Sequence, residues 1–125
     1  MRNWILLLGL LTAVLAACAP KGSYTNVSAD DLYAQLGRPN VLIVDVRTPA
    51  EFAEGHIAGA VNYPLQTIER WYKDLPKDKP VYLYCRSGNR SQQAAEFLKK
   101  KGFGNIYNEE GGIIAWAQRN YPLVR

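Results

Sequence analysis

The chain has 125 residues, a net charge of +4 and a hydrophobic fraction of 48%. This length suits one domain, and the hydrophobic fraction is ordinary for a chain that builds a core. The lysines are dispersed and no groove-reading motif accompanies them, so the charge indicates a solvated surface rather than a nucleic-acid interface.

The first 17 residues have the layout of a secretory signal. Arg2 supplies a positive charge, and residues 5–15 form an apolar run shorter than the about 20 residues of a membrane-spanning helix. Two alanines then precede Cys18, a pattern that resembles the bacterial lipobox. The resemblance implies cleavage before Cys18, lipidation of its thiol and a protein anchored outside the cytoplasm. The other interpretation is an ordinary signal peptide with an incidental cysteine.

Ala19, rather than an aspartate, follows Cys18, which resembles the outer-membrane sorting pattern of Gram-negative bacteria. In such a cell we expect the protein on the periplasmic face of the outer membrane. With Cys18 lipidated, Cys85 is the only free thiol, and a lone thiol in an oxidising compartment points to chemistry. The sequence thus divides into a lipoprotein signal peptide over 1–17, a lipid-anchored tether over 18–25 and a folded domain over 26–125.

The folded region alternates helix and strand signals from its start. Ser28 is the predicted N-cap of a helix that runs to about Leu36. Residues 41–46 form a continuous apolar strand, and Thr48 with Glu51 forms a capping box for the next helix. The remaining helices and strands are predicted over residues 60–63, 64–73, 81–84, 90–101, 105–107 and 113–119. This alternation through short connections predicts an α/β domain with a mostly parallel sheet and helices on both faces.

Residues 85–91 read Cys-Arg-Ser-Gly-Asn-Arg-Ser and directly follow a predicted buried strand. In open α/β sheets, ligands bind in the crevice at the carboxyl ends of the strands. Gly88 permits a positive φ, so backbone N–H groups of the loop can join the helix N-terminus in an anion-binding nest. Such settings lower a thiol pKa from about 8.5 to between about 3.5 and 7.5, which makes Cys85 a predicted nucleophile. A buried inert thiol, the other interpretation, fits poorly with the polar residues that follow.

The other candidate residues surround this cysteine. The predicted substrate-binding residues are Arg86, Ser87, Gly88, Asn89, Arg90 and Ser91. Asp45 and Arg47 flank the site and are expected to support it as a structural ion pair rather than as catalysts. The only histidine, His56, is predicted to be a hydrogen-bonded scaffold residue. Glu109 and Glu110 are expected to face solvent. One histidine and one available thiol cannot supply four zinc ligands, so we expect no metal and no other cofactor.

Several segments, in order, resemble the rhodanese family. Its N-terminal signature is matched by residues 42–47, 51–52, 55–57 and 59–62. Residues 85–91 look like its active-site loop, and residues 111–113 with Trp116 are similar to its closing motif. The resemblance covers residues 27–116 and one rhodanese unit.

This resemblance implies a sulfurtransferase. The Cys85 thiolate would take a sulfur atom from thiosulfate or a similar donor, release sulfite and hold the sulfur as a persulfide. Cyanide or a thiol, including that of a sulfur-accepting protein, would then remove it in a ping-pong reaction. Arg86 and Arg90 would orient the sulfonate oxygens of the donor.

Two alternatives stay open at this point. Related rhodanese-like phosphatases and arsenate reductases have five residues between cysteine and arginine, whereas four separate Cys85 from Arg90. A shorter loop makes a narrower cradle, which favours one sulfur atom over a tetrahedral phosphate. A non-catalytic binding module is the second alternative, and the intact cysteine with its two arginines argues against it.

Overall fold

The computed structural model describes residues 21–125. The predicted signal peptide, Cys18 and the next two residues of the predicted tether lie outside the described residues. Within residues 21–125, no helix combines the length and apolar character needed to cross a membrane. In chain order the elements are β1 (Tyr24–Val27), α1 (Ala29–Tyr33), β2 (Leu42–Asp45), α2 (Pro49–Glu54), β3 (Val61–Asn62), a 3₁₀ turn (Leu65–Thr67), α3 (Ile68–Trp71), a second 3₁₀ turn (Tyr72–Asp74), β4 (Val81–Tyr84), α4 (Asn89–Lys100), β5 (Ile106–Glu109) and α5 (Gly112–Gln118).

The five strands form one parallel sheet in the order β1-β5-β4-β2-β3. Parallel neighbours require crossover connections, which the intervening helices supply. The central strand β4 is buried along its whole length, as its continuous apolar sequence predicts. The predicted α/β class with a parallel sheet is therefore confirmed.

Helices cover both faces of this sheet, each over its own apolar core. Trp71 of α3 and Leu98 of α4 belong to the core on one face. Leu32 of α1 and Trp116 of α5 belong to the core on the other face. Successive side chains of a strand point to opposite faces, and Cys85, just beyond β4, joins the core under α4.

The folded domain begins earlier than the sequence indicated. Tyr24 and Thr25, assigned to the tether, belong to β1, which pairs with β5 from Tyr24 opposite Ile106 to Val27 opposite Glu109. The Tyr-Thr-Asn-Val segment lacks an apolar run because it is a half-exposed edge strand. Its pairing with a distant strand, and not its local pattern, makes it a strand.

Three other boundaries differ from the predictions. Helix α1 ends at Tyr33 rather than near Leu36, because the next amides bond three residues back and Gly37 has a positive φ of 80°. The helix predicted over 64–73 is divided into α3 and two flanking 3₁₀ turns. Strand β5 extends to Glu109 rather than ending at Tyr107. Its last two residues, Asn108 and Glu109, are polar and pair with β1.

Candidate active site

Cys85 lies where β4 ends, four residues before the first turn of α4. The chain between them turns sharply, because Gly88 has a positive φ of 103° that side-chain-bearing residues rarely adopt. A Cβ atom at Gly88 would also lie 3.0 Å from the Gly111 nitrogen. The glycine that the sequence singled out is therefore required both by the turn and by the packing behind it.

The Cys85 sulfur is held by groups of its own loop. The Gly88 N–H donates to Sγ at 3.1 Å, and the thiol lies 3.6 Å from Ser91 Oγ. The Ser91 hydroxyl itself donates to the Gly88 carbonyl oxygen at 3.2 Å. When the thiol loses its proton, rotation of this hydroxyl allows it to donate to the sulfur instead. Cys85 and Ser91 are 1% and 0% exposed, so little water competes for these bonds.

These contacts decide the pKa of Cys85. Burial raises the pKa of the thiol, because a thiolate loses hydration there. Hydrogen bonds from the Ser91 side chain and from the amides of Ser91, Gly88 and Ser87 outweigh burial, and the net pKa lies below the ordinary value. These donors form the anion-binding nest inferred from the sequence, here called the cradle, and they stabilise the anionic sulfur.

Arg90 is engaged by a partner that the sequence did not indicate. Its guanidinium donates to both carboxylate oxygens of Glu51, at 2.7 and 3.0 Å. Glu51 also accepts the Thr48 N–H, in the capping box predicted for α2. Mainly because of Arg90, the pKa of Glu51 falls to about 2. Arg90, expected to bind the donor, is therefore already paired, and its distance of 39 positions from Glu51 hid this pair from local pattern reading.

The exposed side of the loop carries the remaining candidates. Arg86, Ser87 and Asn89 are exposed, and the Arg86 guanidinium has no ion-pair partner among residues 21–125. A surface cavity of about 430 Å³ adjoins the loop at Ser87, Gly88 and Asn89. Arg86 is thus the loop cation that remains available to an incoming anion.

Asp45 and Arg47 form the structural ion pair expected from the sequence. Arg47 donates to Asp45 through Nε and Nη2, and the Arg47 N–H donates to Asp45 Oδ1. Arg47 Nη2 also donates to the Gly55 carbonyl oxygen at 2.7 Å, which ties the end of β2 to the end of α2. Asp45 is 0% exposed, so both of its oxygens depend on these donors.

His56 is part of the scaffold, as predicted. Its Nδ1 lies 2.9 Å from the Phe52 carbonyl oxygen, its ring stacks on Phe52, and its backbone pairs with Val124. None of these contacts involves the Cys85 loop.

The Gly111–Gly112 turn closes the site from behind. The amides of Ile113 and Ile114, in the first turn of α5, donate to the carbonyl oxygens of Cys85 and Arg86 at 2.9 and 3.1 Å. A Cβ atom at Gly112 would collide with the backbone of Arg86 and Cys85. The closing motif therefore packs directly against the loop at Gly112, whereas a Cβ atom at Gly111 would collide with Ala115 of α5.

The expectation for Glu109 is wrong. Glu109 is 0% exposed and lies at the end of β5, whereas Glu110 is exposed as expected. The error follows from ending β5 two residues early, which placed Glu109 in a solvated turn. Burial, and next the charge of Cys85, raise the pKa of Glu109 to about 8.

Comparison with known proteins decides the family. The model of the rhodanese-like domain matches residues 28–119, most of the chain and all of the site described above. The chain belongs to the rhodanese-like family.

Relatives and solved structures agree with this membership. The rhodanese-like chain is 48% identical over 85 residues to a protein of Allochromatium vinosum named sulfurtransferase, covering 68% of this chain and 79% of the relative. It is 31% identical over 101 residues to thiosulfate sulfurtransferase GlpE of Tolumonas auensis, covering 81% and 94%. The crystal structure of a rhodanese-related protein from Thermoplasma volcanium is 39% identical, with a TM-score of 0.73 and coverage of 81% and 98%.

Proposed function

We propose that the protein is a sulfurtransferase that moves a sulfane sulfur from thiosulfate or a similar donor to a thiol or cyanide through a Cys85 persulfide. The observation that carries the proposal is the Gly88 N–H donated to Cys85 Sγ at 3.1 Å inside a buried loop. Together with Ser91 and the Ser87 amide, it lowers the pKa of the thiol despite burial, as a nucleophile at neutral pH requires. The sulfurtransferase names of two relatives support the same chemistry.

The reaction proceeds in two displacements. The Cys85 thiolate attacks the outer sulfur of thiosulfate, a new S–S bond forms, and sulfite leaves with the electron pair of the bond that breaks. The terminal sulfur of the persulfide then accepts attack by cyanide or by an acceptor thiolate, and Cys85 leaves as the thiolate. In both displacements the negative charge is on a sulfur atom inside the loop, so the same backbone amides stabilise it in each step.

Arg86 and Arg90 have different tasks in this reaction. Arg86 is exposed and is the cation that contacts the sulfonate end of the donor. Arg90 holds Glu51 through both branches of its guanidinium, so it stabilises the loop and offsets the Glu51 charge. This assignment also favours sulfur transfer over phosphate hydrolysis, since a phosphatase needs its loop arginine free to bind phosphate oxygens bidentately.

Intact mass spectrometry of the purified chain tests the proposal. Treatment with thiosulfate should add one sulfur atom per chain, and cyanide should remove it. Cys85→Ser should stay folded and gain no sulfur, whereas Lys100→Ala, which changes an exposed side chain at the far end of α4, should still gain it. A folded wild-type protein that gains no sulfur, or that hydrolyses an aryl phosphate at a rate dependent on Cys85, would contradict the proposal.

We propose in addition that Cys18 is lipidated and holds the domain at the outer face of a bacterial cytoplasmic membrane or the periplasmic face of an outer membrane. The support for this proposal is the lipobox-like sequence that ends at Cys18. Metabolic labelling with an alkyne fatty acid should mark the wild-type chain and not Cys18→Ser. Equal labelling of both, or an unlabelled wild type, would reject the anchor.

A further inference from the structure

Glu109 is a buried carboxyl group that the reaction described above does not use. It is 0% exposed, and neither carboxyl oxygen has a hydrogen-bond partner of good geometry among residues 21–125. An ionised carboxylate without partners is too costly to bury, so such a group holds its proton.

The fold places this group beneath the Cys85 loop. The register of β4 and β5 pairs Leu83 with Asn108, so Glu109 follows beside Tyr84, one residue before Cys85. The Gly112 amide approaches the Glu109 carboxyl closely enough to lower its pKa, although not within hydrogen-bond geometry. Gly112 also packs against the Cys85 and Arg86 carbonyls. One residue therefore contacts both the carboxyl group and the loop.

Among residues 21–125, the two charged groups that shift the pKa of Glu109 are both negative. One of these groups is Cys85, just beyond the end of β4, and the last residue of β4, Tyr84, is a phenol whose pKa burial raises. Glu110 on the same segment adds a second negative charge. Strand β1 places uncharged Val27 opposite, and α5 offers only the Gly112 amide. Arg47, beyond Tyr84, is occupied by Asp45.

We propose that Glu109 is a positioning residue for sulfur transfer: a neutral carboxylic acid that adds no buried negative charge beside the Cys85 loop. When Glu109 loses its proton to solvent in alkaline solution, its own negative charge repels anionic donors and slows their reaction with Cys85. The inference rests on the proposed function for its effect on sulfur transfer, but its effect on an anionic reagent is independent of sulfur chemistry.

Alkylation of Cys85 by two matched reagents tests the inference. Iodoacetamide is neutral and iodoacetate is an anion of similar size. Both rates are proportional to the fraction of Cys85 that is a thiolate, so the ratio of the two rates depends only on the local charge. In the wild type the iodoacetate-to-iodoacetamide ratio should fall by about tenfold between about pH 6.5 and about pH 9.5, through the ionisation of Glu109. In Glu109→Gln, which keeps the shape without the charge, the ratio should stay flat.

The neighbouring Glu110→Gln is the matched control. It removes an exposed carboxylate one residue away and should retain the decline of the ratio. A decline in Glu109→Gln equal to that of the wild type would overturn the inference. If Glu109→Gln fails to fold, Glu109→Leu substitutes an apolar side chain of similar length, with the same flat ratio expected.

Infrared spectroscopy of the wild type provides a measurement that needs no variant. An un-ionised carboxyl C=O band should be present near neutral pH and disappear in alkaline solution, and its absence near neutral pH would overturn the inference. The two proposals fail separately. If the protein takes no sulfur from thiosulfate but its alkylation ratio declines with pH as predicted, the sulfurtransferase proposal is refuted and the proposed role of the Glu109 charge is kept. If the wild-type protein takes sulfur but its alkylation ratio does not change with pH, the role of the Glu109 charge is refuted and the sulfurtransferase proposal is kept.

Discussion

Arg90 and Glu51 are 39 positions apart in sequence and meet through two hydrogen bonds of 2.7 and 3.0 Å. The pair joins the first turn of α4, directly after the Cys85 loop, to the N-terminal cap of α2. Glu51 therefore caps a helix and also holds Arg90 of the Cys85 loop. Because Arg90 also senses the charge of Cys85, the pair contributes to the electrostatics of the thiolate.

Breaking this pair from the arginine side should weaken the nucleophile. Arg90→Gln leaves the Glu51 carboxylate unpaired near the cradle, so the pH midpoint of Cys85 alkylation should rise. The kcat/KM for thiosulfate should fall by about tenfold, because an uncompensated negative charge opposes both the thiolate and the donor. The double variant Arg90→Gln with Glu51→Gln should recover most of the midpoint. Equal midpoints in the single and double variants would show that charge compensation is not the role of Arg90.

Gly88 should be essential for more than its backbone conformation. Gly88→Ala and Gly102→Ala both place a side chain at a positive φ, of 103° and 91°, and share a strain of about 1–2 kcal/mol. Only at Gly88 does the added methyl group press on the Gly111 backbone, which displaces the amide that donates to Cys85. We expect persulfide formation by Gly88→Ala to fall about 100-fold, as for loss of one oxyanion donor, while Gly102→Ala retains it. Rapid-quench mass spectrometry measures both rates, and a similar loss in the two variants would contradict the assignment.

Asp45 should contribute to stability rather than to chemistry. Asp45→Asn leaves the buried Arg47 guanidinium without its counter-charge, and the free energy of unfolding should fall by about 3–5 kcal/mol. The matched control is Asp30→Asn, which breaks the exposed pair with Arg119 and should cost far less. Urea denaturation followed by tryptophan fluorescence compares the two. Equal destabilisation by both substitutions would show that burial does not strengthen the Asp45–Arg47 pair.

Glu109 should make the stability of the fold decline with pH. Its pKa is raised from 4.5 in the unfolded chain to about 8 in the fold. Below the pKa of the unfolded chain, Glu109 holds its proton in both states, and its ionisation costs the fold no stability. Between the two pKa values only the unfolded chain ionises, so the free energy of unfolding falls by about 1.4 kcal/mol per pH unit. The decline ends near the pKa of the folded state, where Glu109 ionises in both states. Relative to wild type, Glu109→Gln should therefore gain about 3 kcal/mol between about pH 5 and about pH 7. Urea denaturation at both pH values checks this, and a constant difference would contradict the buried, neutral state.

Local sequence patterns predicted much of this protein. The alternation of strands and helices, the Thr48–Glu51 capping box and the cysteine at a strand end before a glycine turn each depend on residues a few positions apart. Backbone sterics and side-chain periodicity act over that range, so a reader of the sequence can place these features. The cradle around Cys85 belongs to the same class, because one heptapeptide supplies both the sulfur and its donors.

Tertiary structure alone decided what surrounds that heptapeptide. The polar β1 strand exists because β5 pairs with it, and Arg90 is occupied because the fold brings Glu51 to it. Glu109 is buried because β5 continues for two residues beyond its apolar stretch, with Asn108 paired to β4 and Glu109 paired to β1. Strand order and burial depend on which distant segments pack together. The residues next to a charged side chain in sequence therefore do not reveal whether the fold will bury that side chain. Local sequence is thus enough to place the Cys85 sulfur and the donors of its own loop, whereas the assembled sheet sets the charges that act on that sulfur.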